Sequence, residues 1–108
     1  MKISKGDIIL VSFPYTNLHR SKLRPALVIS TKVDNGEDVI ICGITSKKHG
    51  SQEIVLEEKD FTEGTLPIKS YIRFAKIVTI EKSIIKQNVG KLNKKKIAEI
   101  ISKLKDLL

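Results

Sequence analysis

Arg24 and the adjacent pair Thr45 and Ser46 have the residue types and spacing best suited to chemistry on a phosphate group. Arg24 directly precedes Pro25 and a buried apolar run, and proline biases the residue before it toward extended backbone. A guanidinium offers a fixed fork of donors with a permanent positive charge, and a hydroxyl offers one further donor. The alternative is that Arg24 packs on its own loop and Thr45 satisfies backbone groups, as strand-end polar residues often do.

The charge of the 108-residue chain also favours an anionic partner. Its 20 Lys and Arg outnumber its 12 Asp and Glu, which gives a net charge of +8. Residues 1–29 and 65–108 are basic, and residues 30–64 between them are acidic. Such a balance favours polyanions through phosphate neutralisation and counterion release. A solvated lysine-rich surface would give the same composition.

Other kinds of site lack their usual sequence patterns. No Cys pair or closely spaced His pair predicts a zinc site, and no Gly-rich loop leads from a strand into a helix. Cys42 lies in an apolar run, which favours a buried, inert thiol. Glu57, Glu58 and Asp60 form an acidic cluster, and we expect them to face water. The sequence therefore predicts no metal and no cofactor.

Short β-strands must position these residues. Apolar and alternating runs predict strands at 8–13, 26–30, 39–44, 53–56, 70–74 and 77–80, with a short one at 88–91. The intervening Asp34-Asn35-Gly36 favours a turn, since Asn-Gly readily adopts positive φ. Residues 26–44 thus predict a hairpin, and Arg24 and Thr45 would leave it at the same open end.

The C-terminus predicts one amphipathic helix. Asn93 can cap it, and Ile97, Ile100, Ile101, Leu104 and Leu108 form one apolar stripe to lie on the sheet. The three lysines at 94–96 are expected to serve solubility, although anion binding would also explain them. The fold prediction is a single, mainly β domain over 1–108. It has a small antiparallel barrel over about 5–92 and a helix over about 93–108.

The distribution of apolar residues predicts neither a membrane span nor a signal peptide. No apolar run is long enough to span a bilayer, and residues 1–6 lack the apolar core of a signal peptide. A single cysteine agrees with a reducing compartment. We therefore expect a cytoplasmic protein.

Four segments resemble the MazF/PemK-like toxin family in the same order. They are GDIILVSFP at 6–14, KLRPALVIS at 22–30, ITS at 44–46 and SYIRFAKIVTI at 70–80. The second is similar to the family's R-P-A-L-V-I-S element. The last resembles its S-x-V-R-x-D-x-x-x-T-I segment. The likeness runs from Gly6 to about Leu92.

The resemblance implies an SH3-like barrel that forms a homodimer. It further implies a toxin–antitoxin endoribonuclease that cuts single-stranded mRNA at short sequences without a metal and leaves 2′,3′-cyclic phosphate and 5′-hydroxyl ends. A cognate antitoxin with an acidic segment would silence it. Arg24 and Thr45 match the family's catalytic Arg and Thr, and Arg73 matches a further basic residue. Ala75 departs from the pattern, because some members carry Asp there.

Several neighbouring residues are expected to contact the RNA. Tyr15 could stack on an unpaired base. His19 has the side chain best suited to general acid–base work, although a solvated loop His or a simple RNA contact is the alternative. The remaining predicted contacts are basic or hydroxyl side chains: Arg20, Lys22, Ser46, Lys47 and Lys48. The last two form a basic loop with His49, which we expect to contact RNA phosphates.

Two other functions fit the same sequence. The first is a non-catalytic SH3-like module whose basic surface binds nucleic acid. The second is a toxin of the same fold that poisons DNA gyrase by protein contact. The Arg24 and Thr45 pair argues against the second, because a protein-directed poison needs no phosphate-directed pair.

Overall fold

The structure, a computed structural model, describes residues 1–12, 22–48 and 50–108. These residues form seven strands and one helix. The strands are β1 (Asp7–Ser12), β2 (Leu23–Val33), β3 (Asp38–Thr45), β4 (Ile54–Leu56), β5 (Phe61–Gly64), β6 (Ser70–Glu81) and β7 (Ile85–Leu92), and the helix is α1 (Lys94–Asp106). Three single turns of 3₁₀ helix lie at 34–36, 58–60 and 82–84.

All seven strands belong to one antiparallel sheet. Their order is β4-β6-β3-β2-β1-β7-β5, so β4 and β5 are the two edges. The sheet curls into a half-barrel with α1 at the C-terminus, which confirms the predicted fold class. β2 lies between β1 and β3, and the backbone of Arg24 itself pairs with Val11 of β1.

The predicted hairpin is formed by β2 and β3. Ala26 pairs with Gly43 and Val28 with Ile41. The connecting turn has positive φ at Asp34, Asn35 and Gly36, as the local sequence predicts. The hairpin register therefore follows from its turn chemistry and its apolar strands.

Two features of the sheet differ from the sequence prediction. The two strands predicted at 70–74 and 77–80 are one strand, β6. On β3, the neighbours Cys42 and Gly43 pair with Ile77 and Arg73, so residues 74–76 form an irregularity that bends β6. The edge strand β5 was not predicted, because its four residues are largely exposed and lack an apolar run.

Both faces of the sheet are covered, which explains the unbroken apolar runs. Ile9 and Val28 belong to one buried cluster, whereas their chain neighbours Ile8 and Leu27 belong to a second. The second cluster includes Ile100 of α1, so the helix packs on that face. Alternating side chains therefore enter two cores.

The helix begins as predicted. The Asn93 side-chain oxygen accepts a hydrogen bond from the backbone N–H of Lys96 at 2.7 Å. The helix ends at Asp106, and Leu108 is 96% exposed, so the prediction that Leu108 belongs to the packed stripe is wrong.

The expectation that the lysines at 94–96 only face solvent is wrong for Lys96. Its ammonium group is buried, 3.4 Å from Asp60 Oδ2 and 3.3 Å from Glu99 Oε1. Asp60 is likewise buried rather than facing water, and its carboxylate also accepts the backbone N–H of Glu57 at 2.8 Å. This pair attaches α1 to the turn before β5.

No helix within the described residues has the length and apolarity needed to cross a membrane.

Candidate functional site

A cavity of about 450 Å³ lies at the open end of the β2–β3 hairpin. Arg24 near the start of β2 and Thr45 at the end of β3 both line it. Continuing the register of Ala26 with Gly43 by two residues in each strand brings positions 24 and 45 opposite each other. The structure thus brings together the two residues that the sequence placed at this end of the hairpin.

The polar part of this wall suits an anion. Lys22 and Arg24 supply positive charge, and hydroxyl groups come from Thr45 and Ser46. The described lining residues include no Asp or Glu. A wall whose described residues offer cations and neutral donors favours a bound phosphate.

Two further hydroxyl residues, Thr65 and Ser70, line the cavity and were not singled out from the sequence. Ser70 is buried, and its hydroxyl donates to the Ile68 carbonyl at 2.8 Å. This bond fixes the segment between β5 and β6 against the wall. In the sequence, the only indication of this role of Ser70 is its position at the start of a predicted strand.

The mouth of the cavity is apolar. Leu23 is 51% exposed and Ile68 is 63% exposed, and both line the opening together with Pro25 and Pro67. Exposed aliphatic side chains next to a cationic wall can contact the faces of bases whose phosphates bind inside. Sequence patterns did not indicate this grouping, because residues 65–68 are distant along the chain from residues 23–25.

Thr45 also organises the loop after β3. Its hydroxyl oxygen accepts the backbone N–H of Lys47 at 3.2 Å, and the hydroxyl donates to the Lys47 carbonyl at 3.2 Å. A bound phosphate oxygen would replace the Lys47 carbonyl as the acceptor of the hydroxyl proton, and the bond from the Lys47 N–H would be kept. The backbone role of Thr45 and a ligand-binding role are therefore compatible.

Arg73 lies on β6 beside the hairpin rather than in the cavity wall. Its Nε is 3.2 Å from Oε2 of Glu53, whose side chain is almost completely buried. Glu53 also accepts the backbone N–H of Gly50 at 3.2 Å. This carboxylate joins β6 to the loop that follows Thr45, a contact that sequence patterns did not indicate.

The other predicted contact residues are distributed unequally. Lys22 and Ser46 line the cavity, whereas Lys47 and Lys48 are exposed on the adjoining loop and do not line it. Predictions for three further residues lie outside the described part of the chain: Tyr15, His19 and Arg20.

Ala75 lies in the irregular part of β6 and is exposed. It begins a run of five consecutive exposed residues, 75–79, in the part of β6 beyond the residues 70–72 that pair with β4. Within this run Ile77 is 42% and Val78 is 41% exposed. A methyl group at 75 offers no carboxylate to the site.

Cys42 is buried in β3, as predicted, and burial raises the pKa of its thiol to about 12. It therefore remains a thiol near neutral pH and cannot act as a nucleophile. Among residues 1–12, 22–48 and 50–108, no three His, Cys, Asp or Glu side chains gather into a group that could hold a metal ion.

The sequence matches one family along nearly its whole length. The model of the family described as "PemK-like, MazF-like toxin of type II toxin-antitoxin system" matches residues 4–108. No protein with a curated description matches the chain.

Solved structures share the fold at low sequence identity. An endoribonuclease in complex with its cognate antitoxin from a mycobacterial species is 17% identical; the match covers 97% of this chain and 93% of that chain, with a TM-score of 0.76. MazF (Form-I) from Deinococcus radiodurans is 22% identical, with coverages of 97% and 94% and a TM-score of 0.73. MazE-MazF (Form-III) from the same organism is 21% identical, with the same coverages and a TM-score of 0.76.

Proposed function

Since this chain belongs to the PemK-like, MazF-like toxin family of type II toxin–antitoxin systems, we propose that it is a sequence-specific endoribonuclease that cleaves single-stranded mRNA without a metal ion. The observation that carries the proposal is the shared cavity of Arg24 and Thr45, whose described wall has two cations and no carboxylate. The endoribonuclease and MazF proteins that share its fold support the same activity.

The chemistry would use the nucleophile that RNA itself carries. The 2′-oxygen attacks the adjacent phosphorus, a new O2′–P bond forms and the P–O5′ bond breaks. The products are a 2′,3′-cyclic phosphate and a 5′-hydroxyl end. Arg24 would stabilise the negative charge that develops on the phosphorane, and Thr45 would donate a hydrogen bond to one phosphate oxygen.

Proton transfer needs a base for the 2′-hydroxyl and an acid for the 5′-oxygen. Arg24 suits neither role well, because a guanidinium keeps its proton. The described residues of the cavity wall include no His, Asp or Glu. General acid–base catalysis by His19, which lies outside the described residues, stays a prediction. A pH–rate profile of His19→Gln against the parent protein tests it.

The basic loops before β2 and after β3 would bind RNA phosphates other than the one that reacts. In the sequence, Arg20 and Lys22 precede β2, and Lys47 and Lys48 follow β3. Phosphate contacts of this kind set register and affinity rather than rate. Tyr15 is proposed to stack on an unpaired base. The apolar mouth would contact a further base.

A homodimer is part of the proposal. Ile77 and Val78 expose apolar side chains in the part of β6 that pairs with β3 but not with β4, and a second subunit would cover them. Val78→Glu should therefore lower the sedimentation coefficient toward that of a monomer. Val78→Ile is the matched control, because it keeps the apolar surface.

The proposed inhibitor is a cognate antitoxin with an acidic segment. Carboxylates can occupy a site built for phosphates, so we expect the segment to compete with RNA and to bind more weakly at high salt. Simultaneous binding of the two would contradict competition. A cytoplasmic location follows from this proposal, because mRNA is translated there.

The direct test is incubation of a mixed RNA pool with the purified protein in the presence of EDTA, followed by primer extension. Discrete cuts at one short sequence, with ends that polynucleotide kinase can phosphorylate without prior dephosphorylation, are expected. If chelation abolishes cleavage and Mg²⁺ or Mn²⁺ restores it, metal independence is wrong. RNA binding without cleavage would favour the non-catalytic module. Inhibition of gyrase with intact RNA would favour the gyrase poison.

A further inference from the structure

The loop of residues 46–53 connects β3 to β4, two strands that pair with opposite sides of β6. Thr45 at the end of β3 pairs with Tyr71, and Ile54 at the start of β4 pairs with Ile72. Because paired strands lie about 5 Å apart, the loop has to cover about 10 Å across β6. The position of the loop beside the cavity therefore depends on what attaches it to β6.

The buried carboxylate of Glu53 is such an attachment. Extending the register of Ile54 with Ile72 by one residue places Glu53 opposite Arg73, and the Arg73 Nε lies 3.2 Å from Glu53 Oε2. The other carboxylate oxygen, Oε1, accepts the backbone N–H of Gly50 at 3.2 Å. One side chain therefore connects β6 with the middle of the loop.

These two contacts require an acceptor on both oxygens of the side chain. A carboxylate has two accepting oxygens, whereas an amide has one acceptor and one donor group. The amide of Glu53→Gln would thus accept from Gly50 or from Arg73 only, and its NH₂ group would face the other donor. The Glu53 side chain is 3% exposed, and burial of a charge costs free energy that an apolar side chain would avoid. Stability alone therefore does not account for an acid at this position.

The beginning of the loop is attached as well. The Thr45 hydroxyl accepts the backbone N–H of Lys47 and donates to its carbonyl. In the chain, Lys47 and Lys48 come between this attachment and the one at Gly50, and both lysines are exposed. Lysines on an attached loop lose less conformational entropy when they bind phosphates than lysines on a free loop.

We propose that Glu53 is a positioning residue for RNA binding, which fixes the loop after β3 so that Lys47 and Lys48 meet RNA phosphates beside the one that reacts. The inference rests on the proposed nuclease function and adds to it a residue that acts only through others. Positioning of phosphate contacts should affect the affinity for RNA and its salt dependence.

The rate of the chemical step should respond much less. Arg24 pairs with Val11 of β1, and Thr45 pairs with Tyr71 of β6, so strand pairing holds both backbones without Glu53. We therefore expect kcat of Glu53→Gln to stay within about twofold of the parent value.

Net charge alone predicts the opposite effect on binding. Glu53→Gln raises the net charge from +8 to +9, which by itself strengthens the attraction for RNA. Loss of the loop position should instead weaken binding about fivefold and lower the salt dependence by about one ion. The control is Glu58→Gln, which makes the same charge change at an exposed residue that does not line the cavity. It should bind RNA as tightly as the parent protein or slightly more tightly.

A double-mutant cycle tests whether Glu53 acts through the two lysines. Affinity is measured by fluorescence anisotropy with single-stranded 2′-O-methyl RNA, which lacks the attacking hydroxyl, and kcat by single-turnover cleavage of the matching RNA. In the background of Lys47→Ala with Lys48→Ala, Glu53→Gln should change affinity by less than about twofold, because the lysines that it positions are gone. A purely structural effect would weaken binding equally in both backgrounds.

Two variants at Gly50 test the same contact from its other partner. Gly50→Pro removes the N–H that Glu53 accepts, whereas Gly50→Ala keeps it. Apart from its chain neighbours, a Cβ at this exposed position would meet no atom of the described residues within 4 Å. Only Gly50→Pro should weaken RNA binding. Because both changes lie on the surface, this pair gives the answer if Glu53→Gln does not fold.

Three outcomes would overturn the inference. The first is unchanged or tighter RNA binding by Glu53→Gln, and the second is equal weakening with and without the two lysines. The third is equal binding by the two Gly50 variants. A parent protein that binds RNA without cutting it would contradict the nuclease proposal alone, because the binding series would still test Glu53.

Discussion

Substitution of Arg24 by alanine separates catalysis from binding most directly. The backbone of Arg24 pairs with Val11 of β1, so removal of the Arg24 side chain should leave the cavity wall in place. A guanidinium about 4 Å from a developing charge contributes about 1 kcal/mol in water and about 4 kcal/mol at the dielectric typical of a protein surface. The partly apolar wall favours the upper end of this range. We therefore expect kcat to fall by about 10²–10³, the usual cost of one preorganised donor.

Binding should respond much less. The protein keeps a net charge of +7 after the substitution from its +8, so the general attraction for RNA remains. Loss of one phosphate contact should lower the salt dependence of RNA affinity by about one ion. Single-turnover kinetics at several concentrations of one defined RNA separate these two effects.

Three variants complete the series. Arg24→Lys should restore little activity, because a point charge cannot reproduce the planar fork of donors. Thr45→Val should lower kcat by less than Arg24→Ala, because it removes one neutral donor and keeps the shape. Lys22→Ala is the control: it lines the same cavity but should weaken binding with nearly unchanged kcat. If Arg24→Ala and Lys22→Ala both lose affinity and keep kcat, Arg24 is a phosphate anchor and the catalytic assignment is wrong.

Further predictions concern the mouth, the core and the attachment of the helix. Ile68→Ser should raise KM about threefold to tenfold with kcat unchanged, because about 1 kcal/mol of apolar contact is lost in both ground and transition states. Leu108→Ser, which changes an exposed apolar side chain that does not line the cavity, should have no effect. Lys96→Met should lower the free energy of unfolding by about 3 kcal/mol, measured in urea, because Asp60 stays buried without its cation, and adding Asp60→Asn should recover part of the loss. Iodoacetamide at pH 8 should leave Cys42 unmodified in the folded protein and alkylate it in urea. Folding raises the pKa of this thiol from 9.0 to about 12, so its contribution to the free energy of unfolding is complete below pH 9 and is lost as the pH rises toward 12. The decrease in the free energy of unfolding at alkaline pH should therefore be smaller in Cys42→Ala. Rapid alkylation of the folded protein, or an unchanged alkaline transition in Cys42→Ala, would contradict the burial argument.

The hairpin shows how much local sequence determines. The turn at Asp34-Asn35-Gly36 adopts the positive φ values that its residue types favour, and the apolar runs on either side pair across it. Once that register is set, the positions of Arg24 and Thr45 at one end follow without further information. The helix was equally predictable at its start, because the Asn93 cap acts within three residues.

The features that sequence analysis missed all depend on partners distant along the chain. Lys96 was predicted to be exposed to solvent, because its buried partner, Asp60, lies in a turn 36 residues earlier in the chain. Glu53 gave no signal because its role arises from the pairing of β6 with the hairpin. The long strand β6 appeared as two strands because its irregular, exposed centre breaks the alternation on which strand prediction depends.

The cavity divides its wall between two kinds of support, and this division has a functional consequence. Arg24 pairs with Val11 of β1 and Thr45 pairs with Tyr71 of β6, whereas Ile68 belongs to the segment that links β5 and β6. Residues on paired strands keep their geometry when loops change, and segments between strands tolerate substitution. The proposed phosphate chemistry therefore rests on the rigid part, and base contacts rest on the variable part. We expect substitutions at 65–68 to change which RNA sequence is cut while the rate at the best sequence stays close to that of the parent protein. Primer extension on a mixed RNA pool would show this as a shift in cut positions, and an unchanged cut sequence in every such variant would place sequence recognition elsewhere.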